Sequence, residues 1–297
     1  MKILLLGKNG QVGWELQRSL APLGEVIALD RQAIDGLCGD LSNLSALRAT
    51  IRQVKPDIVV NAAAYTAVDK AESDTELADL VNAKASEVMA QEAVALNAWL
   101  VHYSTDYVFS GQGITPWKES DVTAPVNHYG ASKLAGEQAI IDSGCKHLIF
   151  RTSWVYGARG NNFAKTMLRL ARERETLNVI ADQIGAPTGA DLIADITALA
   201  ITKIQGRPEL SGLYHLAASG EVSWHGYATH VIEFAKAQGE HFAVTALNPI
   251  ETSAYPTAAR RPLNSRLNPQ KLCENFSLHL PDWQSGVTRM LREVLNK

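Results

Sequence analysis

Lys2-Ile3-Leu4-Leu5-Leu6-Gly7-Lys8-Asn9-Gly10-Gln11-Val12-Gly13 carries the chain from an apolar run through a glycine-spaced turn into an amphipathic stretch. An apolar strand that feeds straight into glycines and then a helix is where a dinucleotide pyrophosphate rests. Amides at the helix N-terminus point at the anion, and positions without Cβ let the backbone come close. The spacing is G-x-x-G-x-x-G, unlike the G-x-G-x-x-G of many dehydrogenases; its place after Leu4-Leu5-Leu6 and before Val12 and Leu16 gives it meaning. The apolar run stops at Gly7, far short of a secretory core or membrane span, and reads as a first β-strand.

Outward from this turn, short apolar runs alternate with amphipathic stretches, the pattern of βα units that build a parallel sheet. Residues 3–6, 26–29, 58–61, 100–103 and 148–151 are expected as buried strands. Helical periodicity runs through 11–20, 44–54, 76–96 and 129–141, with Ser42, Ser73 or Asp74, and Asn127 as caps. After Arg151 the order changes: 157–162 reads as a loop, 163–175 as a helix, Gly185-Ala186-Pro187-Thr188-Gly189 is a Gly/Pro-rich stretch, 191–204 reads as a helix and 212–216 as a strand, and these can return to the sheet. The expected fold is α/β, a Rossmann-like doubly wound parallel sheet with a smaller α/β substrate unit. The two are interleaved, 1–153 plus about 191–220 forming the dinucleotide unit and about 154–190 plus 221–297 the substrate unit.

Bulk properties exclude several classes. A chain of 297 residues can bury about three-quarters of its surface. With 28 basic against 31 acidic residues, the net charge of -3 offers no basic footprint for nucleic acid and no polybasic membrane segment. Cys38, Cys145 and Cys273 are widely spaced and odd in number, which reads as reduced, cytoplasmic thiols. Small molecules, and a second copy of the chain, are the expected partners.

In the cofactor region Gly7, Gly10 and Gly13, with Gln11 and Val12, form the pyrophosphate turn. Asp30 stands 20 residues beyond Gly10, where an acid at the end of the second strand takes the adenosine ribose hydroxyls of NADH; neighbouring Arg31 can offset its repulsion of a 2′-phosphate, so both NADH and NADPH fit. Gly39-Asp40-Leu41 follow where such folds meet the adenine. Ala62-Ala63-Ala64, followed by Tyr65, offer small side chains beside the ribose and phosphates. Further on, Tyr129 and Lys133 are four apart and share a helix face. A free tyrosine, with a pKa of about 10, is a poor acid at neutral pH, and a lysine one turn away makes it a better one by stabilising the phenolate. Such pairs are common on surface helices. This one gains weight from Ser104-Thr105 at the carboxyl end of a strand, where a hydroxyl can hold the reacting oxygen towards Tyr129. The constellation describes a hydride-transfer enzyme whose acid is a tyrosine.

The chain resembles the extended short-chain dehydrogenases/reductases and, within them, the dTDP-4-dehydrorhamnose reductases. The residues that carry this are Gly7 to Gly13, Asn61 to Asp69, Ser104 to Phe109, Tyr129 to Lys133, Arg151 to Gly157, Asp182 to Thr188 and Arg261 to Ser265. The resemblance implies reduction of the C4 ketone of dTDP-4-dehydro-L-rhamnose by NADPH or NADH, with Tyr129 as proton donor. Lys133 then tunes the tyrosine and grips the nicotinamide ribose, and Thr105 binds the C4 oxygen. Asp106 and Trp154 line the sugar site, and Arg260 and Arg261 meet the diphosphate. It also allows Mg²⁺ and a homodimer; Glu15 and Glu293 are acids that an interface could bring together, and no metal ligand is assigned. Dehydratases of the superfamily carry Asp-Glu after the Thr, whereas Thr105-Asp106 is followed here by Tyr107, which argues against dehydration and leaves epimerisation as the alternative. A non-catalytic cofactor-binding subunit would have no need of Thr105, Tyr129 and Lys133 together.

Overall fold

A computed structural model describes residues 1–296. Six parallel strands form the central sheet, in the spatial order Gly212–His215, Lys146–Thr152, Trp99–Thr105, Ile58–Asn61, Lys2–Leu6, Glu25–Leu29. The strand order reverses between Lys2–Leu6 and Ile58–Asn61, so the crevice beyond their carboxyl ends is a topological switch point. Covered on both faces, these strands read as continuous apolar runs. Ile3, Leu5, Val60 and Val101 pack against Leu16, Leu20 and Ile193 on one face, and Leu4, Leu6, Val59 and Leu100 against Leu47, Ile51 and Met89 on the other.

A second apolar core gathers Tyr156, Met167, Leu168, Leu177, Tyr227, Val231, Trp283 and Leu291. It draws on chain from both sides of the helix Ala190–Lys203, whose Ile193, Ile196 and Ile201 lie in the sheet's core. One stretch departs from the expected division: Leu272, Phe276 and Leu280 pack with the sheet. The helix Gln270–Phe276 covers the edge strand Gly212–His215, where Lys271 donates to Leu213 O at 2.8 Å. An uncovered edge would leave backbone groups and apolar side chains exposed.

Two local expectations change. The helix expected over 76–96 begins at Thr75 and contains a π-helical turn, Leu80–Lys84, before continuing as Ala85–Leu96. The wide turn presses Asn82 against the neighbouring helix His128–Asp142, where a Cβ on Gly136 would lie 2.2 Å from Asn82 O. At the helix Leu44–Val54, Asn43 rather than Ser42 is the cap, accepting from Ala46 N at 3.1 Å, because Ser42 is engaged by Asp40. Asp74 stands at its expected cap position, but its carboxylate accepts from Tyr65 OH at 3.0 Å instead. Among the described residues, no helix is long and apolar enough to cross a membrane.

Candidate active site

A cavity of about 840 Å³ lies along the carboxyl ends of the strands, at the switch point. At one end the glycine turn forms its floor. Gly7, with φ +86°, runs so near the Ala62-Ala63 backbone that a Cβ would lie 2.7 Å from Ala63 N. Gly13 faces inward, and a Cβ there would meet Gly7 O at 2.0 Å; it packs helix onto turn while Gly10, Gln11 and Val12 line the cavity. Gly10 caps the helix Gln11–Leu20 without a side-chain bond, so no capping side chain occupies its first amides. This is a cradle for an anion. Asp30 stands on the rim, accepting from Asn9 Nδ2 at 2.5 Å and from Gln32 N at 2.9 Å, with Lys8 Nζ at 3.8 Å.

Of the other expected cofactor residues, Gly39 and Ala62 to Ala64 line the cavity, and three do not. Leu41 is core, Asp40 holds Ser42, and Tyr65 is tied to Asn82 and Asp74 behind the wall.

At the other end the strand Trp99–Thr105 delivers Thr105 and Asp106, and the helix His128–Asp142 delivers Tyr129 and Lys133. Asn127 starts that helix, its Oδ1 accepting from Gly130 N at 2.8 Å and its Nδ2 donating to Arg260 O at 2.8 Å. The Thr105 hydroxyl donates to Asp106 Oδ1 at 3.1 Å and is also the hydrogen-bond neighbour of the Tyr129 phenol. Burial pushes the Tyr129 phenol above its ordinary range, with Thr105 opposing. Burial likewise raises the Asp106 carboxyl to about 7, against the hydrogen bonds of Ser265 and Thr105, and lowers Lys133 to about 8, against the pull of Glu137. Ser104 Oγ and Asp106 Oδ2 are buried with no hydrogen-bond partner among the described residues, as expected where a polar ligand completes the bonding.

Trp154 forms a further wall. Its backbone is left-handed, φ 49°, an uncommon conformation for a bulky residue and one that concentrates at functional sites. The indole stacks on Trp224 at 3.6 Å, and Trp224 Nε1 donates to Gln183 Oε1 at 3.0 Å. Trp224 is a cavity residue that sequence reasoning missed; it lies 70 positions from Trp154 and no local pattern links them. Arg261, paired to Asp69 at 2.8 Å, lines both the cavity and an adjoining depression of about 720 Å³ beside Ser110, Asp182 and Tyr255, whereas Arg260 lines only that depression. Among the described residues, no three ligand-type side chains gather as a metal cage; Glu15 pairs with Arg18 at 3.4 Å.

Comparison with known proteins agrees with this geometry. The model of the RmlD substrate binding domain family matches residues 1–296. The dTDP-4-dehydrorhamnose reductase of Shigella flexneri is 60% identical over 294 residues, which cover 99% of this chain and 98% of that one. A dTDP-4-dehydrorhamnose reductase crystal structure from Clostridium acetobutylicum superposes with a TM-score of 0.88 at 33% identity, over 100% of both chains. Another from Bacillus anthracis, in complex with NADP, gives a TM-score of 0.86 at 36% identity, covering 98% of this chain and 99% of that one.

Proposed function

The chain belongs to the dTDP-4-dehydrorhamnose reductase family, and on that premise we propose that Tyr129, Thr105 and Lys133 reduce the C4 ketone of dTDP-4-dehydro-L-rhamnose to dTDP-L-rhamnose. The observation that carries the assignment is the convergence of these three side chains, from a strand end and a helix, on a cavity whose far end is the glycine cradle.

That cradle fits NADPH or NADH. Gly7, Gly10 and the first amides of the helix Gln11–Leu20 hold the pyrophosphate, Asp30 takes the adenosine ribose, and Ala62 to Ala64 leave room along the wall. The bound nicotinamide supplies the hydride. Tyr129 gives its proton to the C4 oxygen, Thr105 holds that oxygen by a hydrogen bond, and Lys133 compensates the phenolate that remains. Asp106 and Trp154 border the sugar, with Trp224 behind the indole. Arg261, and Arg260 from the adjoining depression, face the diphosphate as bidentate donors. The unpaired state of Cys38, Cys145 and Cys273 supports a cytoplasmic location. Among the described residues, no cluster of ligand-type side chains in one copy suits magnesium. If Glu15 and Glu293 of two copies meet around that ion, light scattering gives a dimer that a chelator dissociates.

The deciding experiment follows NADPH and NADH absorbance with purified protein and dTDP-4-dehydro-L-rhamnose. Substrate-dependent oxidation yielding dTDP-L-rhamnose is expected. No oxidation, from protein that binds either nucleotide, overturns the assignment.

A further inference from the structure

The loop 157–162, which leads into the helix Phe163–Glu173, is fastened against the glycine cradle. Asn162 does the fastening: its Nδ2 donates to Gly157 O at 2.6 Å and to Gln11 Oε1 at 3.1 Å, and its Oδ1 caps the helix by accepting from Lys165 N at 3.1 Å. Lys165 Nζ closes the base of the loop with a bond to Ala158 O at 2.8 Å. Gln11 is the first residue of the helix Gln11–Leu20 and lines the cavity, and a Cβ on Gly160 would lie 3.3 Å from its Cγ. The tip of the loop therefore stands beside the amides of the anion cradle, and Arg159 is at that tip.

Arg159 is exposed, and its guanidinium lies 3.7 Å from the ring centroid of Trp14; among the described residues that ring is its one partner. Trp14 is itself 45% exposed. Its N–H donates to Gly10 O at 2.9 Å, which places Trp14 one turn, about 5.4 Å, along the helix from the cradle. A long, flexible arginine side chain covers that distance about a fixed Cα. Charge favours the move. A dinucleotide carries a negative charge on each phosphate of its pyrophosphate, and the cradle meets these with backbone dipoles alone. Of the nearby cations, Lys8 Nζ is 3.8 Å from Asp30, Arg31 stands beside that same acid, and Lys133 and Arg261 line the other end of the cavity. A guanidinium on an exposed ring is weakly held, whereas paired N–H···O bonds to a phosphate are strong.

We propose that Arg159 is a further cofactor-binding residue, which leaves Trp14 when the dinucleotide binds and takes the pyrophosphate by bidentate hydrogen bonds. The inference rests on the reading of the cradle as the NADPH or NADH site. Anchored by Asn162, the loop keeps its base in place while the side chain moves. Because the loop follows directly on Trp154 and the strand Val155–Tyr156, one segment walls the sugar end of the cavity and reaches the pyrophosphate at the other.

Equilibrium titration of the full chain with NADH and with NADPH, read by nucleotide fluorescence, tests this without turnover. In Arg159→Gln, which keeps a polar side chain and loses the charge, both dissociation constants should rise about tenfold. Trp14→Ala removes only the resting place, and both nucleotides should bind at least as tightly as to the wild type. Both side chains are exposed, so neither substitution opens the core. Unchanged constants in Arg159→Gln overturn the proposal. Weakening of NADPH alone also overturns it, since the charge would then serve the 2′-phosphate. So does a Trp14→Ala protein weakened as much as Arg159→Gln, since Arg159 would then act by stacking the loop onto the helix. A wild-type protein that binds neither nucleotide removes the cradle reading together with this one.

Discussion

Tyr129 keeps its proton tightly because its surroundings desolvate the phenolate. Removing the phenol oxygen while keeping the ring therefore isolates proton donation from packing. In Tyr129→Phe, kcat should fall by about 10²–10⁴-fold, with the NADPH dissociation constant, read by fluorescence titration, nearly unchanged. Near-normal turnover would remove Tyr129 from the mechanism. At the opposite end of the cavity, Asp30 accepts from Asn9 and Gln32 N and keeps its carboxylate on the rim. Asp30→Ala should weaken NADH more than NADPH, because the lost acceptor served a 2′-hydroxyl and its charge opposed a 2′-phosphate. Equal weakening in parallel titrations would make Asp30 a structural residue.

Two elements carry the reacting groups, and each has a fastening that can be cut. Asn127 caps the helix His128–Asp142. Asn127→Ala should cost about 1 kcal/mol of unfolding free energy in denaturant titrations, and should reduce activity further because the freed first turn carries Tyr129. Eight residues past Tyr129 on the same helix, Glu137 grips Arg151 of the strand Lys146–Thr152 in a buried bidentate pair. Arg151→Met leaves Glu137 buried and uncompensated; a loss of roughly 3–5 kcal/mol is expected by the same titration. Much of this was legible in sequence. The apolar runs and the Gly7–Gly13 turn identify the strands, and Asn127 announces the helix His128–Asp142, since these are local patterns of burial and capping. The π-helical turn at Leu80–Lys84 and the Trp154–Trp224 stack depend on contacts between distant segments. His102 reads as one more residue of a buried strand; its register with Asn61 and the approach of Lys133 Nζ, at 3.1 Å each, give it polar partners.

For the whole molecule, one buried carboxyl links the site to stability. Asp106 titrates near about 7 when folded, whereas an aspartate in an unfolded chain titrates near ~3.9. Between those values the folded protein retains a proton that the unfolded chain has released. The contribution of this group is therefore complete below about pH 4 and is lost as pH rises through 7, a difference of about 4 kcal/mol. Comparing unfolding free energies of wild type and Asp106→Asn across that window should show the wild type losing ground towards pH 7. Parallel curves would mean that the folded carboxyl is not held neutral.

The sheet's core also has an ordering in time. Its first strand is Lys2–Leu6, yet its edge is closed by Leu272, Phe276 and Leu280, from the last tenth of the sequence. During synthesis, which proceeds at about 5–20 residues per second, the nascent sheet must wait at the ribosome with that flank bare. The growing chain therefore carries an unfinished strand edge until the helix Gln270–Phe276 has emerged.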